Sequence, residues 1–197
     1  MTDIQSKGYY KRGFIPHFDY SCLHQMITYR LNDSLPRHAV ELMLIKDDEQ
    51  KKRKLIETYL DAGHGSCILK IKDIADLIFE NWNHFNGKRY DLISYVIMPN
   101  HIHILIKIYE KEQLGKIIHS WKSYTSKKIK KYLNINGKDS SVGWKDNYWD
   151  RYIRDTAHYQ HAINYIHQNP VKAGLCSAPE DWKYSSIKKY TSKPNKS

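Results

Sequence analysis

Residues 95–106 read YVIMPNHIHILI, an apolar run that is interrupted by a proline, an asparagine and two histidines. Such a run, with isoleucines in alternate positions, predicts a buried β-strand that begins at the first histidine. Residues two apart in a strand lie on the same face, so His101 and His103 are expected to point the same way. Two imidazoles placed like this make a candidate metal site, and two ordinary strand histidines are the alternative.

A second distinctive stretch, NYIHQNPVKAGL, occupies residues 164–175. Tyr165 and Asn169 are four residues apart at the end of a helical pattern and should therefore share a helix face. The tyrosine offers a nucleophilic oxygen, and the asparagine offers an amide oxygen that can bind a metal. Because Pro170 disfavours helical geometry in the preceding residue, we place Asn169 in the last turn or just beyond it.

Together the two stretches resemble the REP-associated tyrosine transposases, which are relatives of insertion-sequence transposases among the HUH nucleases. The resemblance covers residues 10–185, and it departs from the family in the charged segment 46–67. It implies that His101 and His103 are the metal-binding pair, that Asn169 is the third ligand and that Tyr165 is the catalytic nucleophile. Two imidazoles and an amide oxygen suit a divalent cation, and the expected cofactor is Mg²⁺ or Mn²⁺.

Charge and composition narrow the class of partner. The 197 residues include 32 Lys and Arg against 21 Asp and Glu, a net charge of +11 that predicts a polyanionic partner. No stretch approaches the ~20 apolar residues of a membrane span, and residues 1–12 lack the apolar core of a signal peptide. We therefore expect a cytoplasmic protein without a membrane segment. Three scattered cysteines support neither a disulfide framework nor a zinc knuckle.

The pattern of elements predicts an α+β fold. Strands are expected at 23–31, 93–98 and 101–108, and amphipathic helices at 73–87, 110–133 and after Asp155. This order suits a ferredoxin-like (RRM-like) antiparallel sheet with helices packed on it. We expect a single domain over 1–197, with a charged helical insertion at about 46–67 that is a solvated helix, and a disordered basic tail at 191–197.

Basic side chains supply the candidate DNA contacts. Seven lysines lie between 111 and 131 on faces of the predicted helix that do not carry its apolar residues. A solvated face is the ordinary explanation of such a run, and contact with a phosphate backbone is the alternative that the resemblance favours. The predicted DNA-binding residues are Lys122, Lys127, Lys128, Lys130, Lys131, Arg154 and Lys172.

Three functions fit these features. The first is a metal-dependent transposase that cleaves and rejoins single-stranded or hairpin DNA through a 5′-phosphotyrosine. The second is a non-catalytic single-stranded nucleic-acid-binding module of RRM-like fold, and the third is a phosphodiesterase that uses water, with Tyr165 structural. A covalent protein–DNA adduct distinguishes the first from the others. Related enzymes include both monomers and dimers, so a homodimer and a monomer both stay open.

Overall fold

The computed structural model describes residues 8–12, 15–45 and 48–191, so most of the predicted tail at 191–197 lies outside the described residues. The strands are β1 (Gly8–Arg12), β2 (Ile15–Asp19), β3 (His24–Arg30), β4 (Tyr90–Ile97), β5 (His101–Ile108) and β6 (Trp149–Tyr152). The α-helices are α1 (Arg37–Ile45), α2 (Glu49–Asp61), α3 (Lys72–Phe85), α4 (Leu114–Ile135), α5 (Thr156–Lys172) and α6 (Lys188–Thr191). Single 3-10 turns lie at Ile68–Lys70 and Pro179–Asp181.

The main sheet has four antiparallel strands in the order β4-β5-β3-β6. Counted along the chain, the first and third of these strands are central and the second and fourth lie at the edges. That is the arrangement of a ferredoxin-like sheet, and the predicted fold class is confirmed. A separate two-stranded hairpin is formed by β1 and β2.

The alternation of side chains along β5 divides the molecule into two layers. Ile102, Ile104 and Ile106 are buried in the cluster that includes α3 and α4. Leu105 instead packs with Ile166 in the cluster beneath α5. Because residues of the same parity share a face of the sheet, the two histidines of β5 lie on the α5 side.

The charged segment folds as α2, but the expectation of a solvated helix is incomplete. Its apolar residues Ile56 and Leu60 are buried against Leu35, close to Trp149 at the sheet edge. The turn that follows needs Gly65, which has a φ of +88° and whose α-carbon lies so close to the Asp33 backbone that a Cβ would clash with it. This turn brings the end of α2 back to the sheet.

The sequence analysis did not predict some elements, namely β1, β2, α1 and β6. The strands among them have five, five and four residues, which is too short for a clear alternation to be recognised. In the residues that the structure describes, no helix combines the length and the apolar character that crossing a membrane requires.

The α3/α4 layer should carry much of the stability. We expect Ile104→Ala, at a fully buried position of β5, to lower the free energy of unfolding by about 3 kcal/mol, because it leaves a cavity in a close-packed cluster. Urea denaturation measures this change. The matched control is Ile135→Ala at the end of α4, where the side chain is 73% exposed and almost no loss is expected. Similar losses for both variants would contradict the assignment of the core.

Candidate active site

The two histidines of β5 meet at their outer ring nitrogens. His101 and His103 are each 1% exposed, and their Nε2 atoms lie 3.1 Å apart. Both side chains project from the same face of the strand, as the sequence predicted, because they are two residues apart. The centre of the site is therefore a buried pair of imidazoles, one above the other along β5.

Hydrogen bonds hold the inner ring nitrogen of each imidazole. The side-chain nitrogen of Asn100 donates to the His64 carbonyl at 2.9 Å, so its Oδ1 faces His101 Nδ1 at 2.7 Å and must accept a proton from it. Thr28, directly across the sheet from His103, places its hydroxyl 2.7 Å from His103 Nδ1, where it can donate or accept. Neutral His101 therefore has its lone pair on Nε2, which can accept from His103 Nε2 in the free protein.

Burial keeps both imidazoles neutral. It lowers the pKa of His101 to about 3, and burial together with the neighbouring His101 and nearby cations lowers the pKa of His103 well below its ordinary value. Two ligands at about 2.1 Å from one cation lie ~3.0 to ~3.4 Å apart in octahedral or tetrahedral geometry. The 3.1 Å separation of the Nε2 atoms falls within that range.

Helix α5 brings the predicted tyrosine to this pair. Asp155 caps the helix by accepting from the backbone N–H of His158, as predicted. Tyr165 lies with its ring centre 5.2 Å from that of His103, edge to face, and its buried hydroxyl makes no hydrogen bond within the described chain. Nucleophile candidate and histidine pair are thus neighbours.

Asn169 lies one helical turn beyond Tyr165, on the same face of α5. The helix continues through Pro170 to Lys172, so the amide belongs to the last turn. Asn169 is 1% exposed, and neither its oxygen nor its nitrogen has a hydrogen-bond partner among the described residues. A buried amide without partners is costly, and a bound cation would satisfy its oxygen.

Helix α2 forms another wall of the site, which the sequence analysis missed. Arg53, Glu57 and Asp61 are spaced four residues apart and form one charged stripe along the helix. Asp61 Oδ1 lies 3.9 Å from His101 Nε2, and Asp61 Oδ2 lies 3.7 Å from Lys172 Nζ. The four-residue spacing was visible in the sequence, but nothing there showed that this stripe faces the histidines.

The charged stripe affects the tyrosine. Burial raises the pKa of Tyr165 well above its ordinary value, and the carboxylates of Glu57 and Asp61 raise it further, whereas Arg53 lowers it. Burial also raises the pKa of Asp61, and the ammonium of Lys172 opposes that rise. The Tyr165 hydroxyl is therefore protonated in the protein alone and needs added positive charge, or a proton acceptor, to become a nucleophile.

The predicted DNA contacts separate into two groups. Lys172 is at the site, with Nζ 5.8 Å from the centre of the Tyr165 ring. Helix α4, which carries the lysines between 114 and 131, packs on the opposite face of the sheet from the histidines. There Lys122 Nζ donates to the carbonyls of residues 145, 146 and 147. Arg154 is exposed just before α5. Lys172 of the predicted set thus lies beside Tyr165, and the lysines of α4 do not.

The residues present suit a divalent cation, provided that the asparagine takes part. Within the described residues, no group of three or more His, Cys, Asp or Glu side chains is arranged to hold a metal. Two neutral imidazoles whose Nε2 atoms face each other supply two ligands once the proton of His103 lies on Nδ1, beside the Thr28 hydroxyl. The unpartnered amide oxygen of Asn169 is the natural third, and such a mixed set leaves positions open for water or substrate.

Comparison with known proteins now assigns the class. The family model described as "Transposase IS200 like" matches residues 66–169, which is more than half of the chain and includes the histidine pair, Tyr165 and Asn169. The chain belongs to the IS200-like transposase family. Helix α2 and Lys172 lie outside the matched residues.

Two curated relatives of the chain are named as REP-associated tyrosine transposases. The chain is 28% identical over 105 residues to a REP-associated tyrosine transposase named in Haemophilus influenzae, and 26% identical over 98 residues to that of Escherichia coli K12. Each alignment covers 50% of this chain, and it covers 59% and 54% of the two relatives. The chain thus matches little more than half the length of either relative.

A solved structure shares the fold. It is a REP-associated tyrosine transposase bound to a REP hairpin, with a TM-score of 0.58, 17% identity, and coverage of 91% of this chain and 82% of that one. At this identity the likeness concerns the fold, and it agrees with the four-stranded antiparallel sheet with helices around it.

The burial of His101 predicts a pH dependence of stability. Its pKa is about 3 in the folded protein against an ordinary 6.5, so the unfolded chain binds a proton first as the pH falls. The contribution of neutral His101 to the free energy of unfolding is therefore fully present above pH 6.5 and is lost progressively as the pH falls toward 3. In EDTA, the free energy of unfolding should fall less steeply with decreasing pH in His101→Gln than in the wild type. The difference in slope should be up to about 1.4 kcal/mol per pH unit.

Urea denaturation at several values between about pH 4 and about pH 8 measures this slope. His119→Gln, at an exposed position of α4, is the control and should follow the wild-type curve. A wild-type slope in the His101 variant would show that this imidazole is not held neutral by burial.

Proposed function

We propose that this protein is a metal-dependent transposase that cleaves and rejoins single-stranded DNA through a 5′-phosphotyrosine on Tyr165. The observation that carries the proposal is the position of the Tyr165 hydroxyl, which is buried, unpartnered and beside the histidine pair. Membership in the IS200-like transposase family supports it.

The chemistry is a balanced exchange of phosphate esters. The Tyr165 oxygen forms a bond to phosphorus, the bond from phosphorus to the 3′-oxygen breaks, and the proton lost by the tyrosine is matched by one gained at the 3′-hydroxyl. A phenolate is a better leaving group than an alkoxide, so a later 3′-hydroxyl can reverse the attack without a nucleotide cofactor. Cleavage and rejoining are thus one reaction in two directions.

The protein's part is to hold the reacting groups in place. Helix α5 carries Tyr165 and Asn169 on one face, and β5 holds the histidines opposite. His101, His103 and Asn169 would hold Mg²⁺ or Mn²⁺, which when bound polarises a phosphate oxygen and draws off negative charge. Asn100 keeps His101 in the tautomer that such a cation requires, and the Thr28 hydroxyl can accept from the same tautomer of His103.

The proposed substrate is hairpin DNA with a single-stranded flank. The net charge of +11 favours a polyanion, and the solved relative is described as bound to a REP hairpin. A flexible strand can carry its phosphate into line with a buried tyrosine, whereas a stiff duplex cannot. We further propose that the enzyme acts in the cytoplasm, as a monomer or as a homodimer.

Tyr165→Phe should abolish the covalent adduct, because it removes the attacking oxygen and leaves the ring in place. The assay is incubation with a labelled hairpin carrying a single-stranded flank, with Mg²⁺ or Mn²⁺, followed by a denaturing gel. DNA affinity should be nearly unchanged. The blunt duplex of the same sequence should bind more weakly and form little adduct.

Tyr159→Phe, on the same helix, is the matched control and should form adduct at the wild-type rate. Adduct that persists in Tyr165→Phe would move the nucleophile to another tyrosine. Cleavage without any adduct would favour a water-dependent phosphodiesterase, and binding without cleavage would favour the RRM-like module.

The proposed ligand set makes a prediction that does not depend on DNA. His103→Ala and Asn169→Ala should each lower the affinity for Mn²⁺ by at least ~10-fold, and Thr28→Val should lower it less, because that threonine only orients a ligand. Calorimetric titration of Mn²⁺ into the DNA-free protein measures the affinity. Tyr165→Phe should bind Mn²⁺ like the wild type, and an unaltered affinity in the His103 variant would rule out this site.

A further inference from the structure

The charged stripe of α2 contains the guanidinium of Arg53, which lies near the proposed site. Arg53 Nε donates to Glu57 Oε1 at 3.1 Å, and the two side chains are 33% and 21% exposed. The terminal nitrogens of Arg53 make no hydrogen bond within the described residues. The guanidinium is therefore anchored at one nitrogen and open at the other two.

Arg53 lies on the side of α2 that faces the sheet. It lines a small gap between α2 and the sheet, whose other lining residues are Thr28, Ile56, Glu57, Leu60 and Trp149. Thr28 is the residue whose hydroxyl holds His103. The positive charge of Arg53 also acts on both Tyr165 and His103, since it contributes to lowering the pKa of each. Arg53 thus adjoins the residue that holds His103, and its charge reaches both the proposed nucleophile and the proposed metal site.

Other cations near the sheet are less available. Arg30 is 5% exposed and uses Nη1 on the Leu31 carbonyl and on the Ser34 hydroxyl. The lysines of α4 are on the opposite face of the sheet. Lys172 is at the site, but its ammonium is drawn toward Asp61. Arg53 alone among these combines an anchored nitrogen with two open ones.

We propose that Arg53 is a further catalytic residue, whose terminal guanidinium nitrogens bind a non-bridging oxygen of the phosphate that Tyr165 attacks. This inference rests on the proposed function. Phosphoryl transfer adds negative charge to the non-bridging oxygens, and a guanidinium fork matches a phosphate in both charge and shape. Glu57 is the positioning residue that holds Arg53 at the wall of the site. Neither residue lies in the segment that the family model matches.

The chain supplies a matched control. Arg37 and Glu41 form the same kind of pair four residues apart on α1, with Nε 3.2 Å from Oε1 and side chains 95% and 60% exposed. Arg53→Ala and Arg37→Ala therefore remove the same group and break the same type of ion pair. Only the first removes a guanidinium whose charge acts on Tyr165.

The experiment measures the single-turnover rate of adduct formation at saturating hairpin DNA with Mn²⁺. Arg53→Ala should lower this rate by roughly 100-fold, the size of effect seen when one charge-stabilising donor is lost. Arg53→Lys should recover part of it, because an ammonium keeps the charge and loses the fork. Arg37→Ala should react at the wild-type rate, and thermal unfolding should show that all variants are folded. A wild-type rate in Arg53→Ala overturns the role of Arg53 and leaves the proposed function standing.

A binding measurement isolates the contact itself. In the Tyr165→Phe background, a neutral methylphosphonate at the mapped cleavage position should weaken binding more strongly when Arg53 is present than in Arg53→Ala. An equal loss in both proteins would overturn the contact. If the wild type forms no adduct, the proposed function fails. The contact is then judged by affinity for a single-stranded oligothymidylate, which Arg53→Ala should weaken and Arg37→Ala should not.

Discussion

The structure depends on the two-residue alternation of β5. Its isoleucines point into the α3/α4 layer and are almost completely buried, so the strand cannot shift by one residue without moving those side chains out of the core. The same constraint forces His101 and His103 to the other face. The site is therefore not an addition to the fold, because the register that forms the core also aligns the imidazoles.

On the α5 face of the sheet, several buried polar groups lack hydrogen-bond partners. The Tyr165 hydroxyl, both amide atoms of Asn169 and one carboxylate oxygen of Asp61 are buried without hydrogen-bond partners in the described residues. A buried polar group without a partner costs about 1 to 3 kcal/mol. Such a concentration of unpartnered groups around two neutral imidazoles is what a site looks like when its ligands complete the hydrogen bonding. The surrounding core must compensate for that cost.

Much of this was visible in the sequence, for identifiable reasons. The pairing of His101 with His103 on one face followed from their spacing of two residues, the cap at Asp155 from its residue type before a helical pattern, and the fold class from the order of the elements. The role of Asn100 was not predicted, because its orientation depends on the His64 carbonyl in the loop after α2. The placement of the α4 lysines away from the histidines also needed the tertiary fold, since periodicity identifies the buried face of a helix but not the layer that it joins.

Helix α2 shows most clearly what local sequence patterns do not predict, namely the tertiary contacts of a helix. Its composition is that of a solvated helix, yet Ile56 and Leu60 anchor it and Asp61 reaches His101. Motif residues supply the proposed metal ligands and nucleophile, whereas this helix supplies charges of both signs around them. The two carboxylates of the charged stripe each hold a cation, Arg53 with Glu57 and Lys172 with Asp61, so these charges balance in the free protein. When a phosphate brings its own negative charge, the cations are already positioned and have no need to be drawn in from solvent. Preorganised charge of this kind is effective because little reorganisation is left for the moment of reaction.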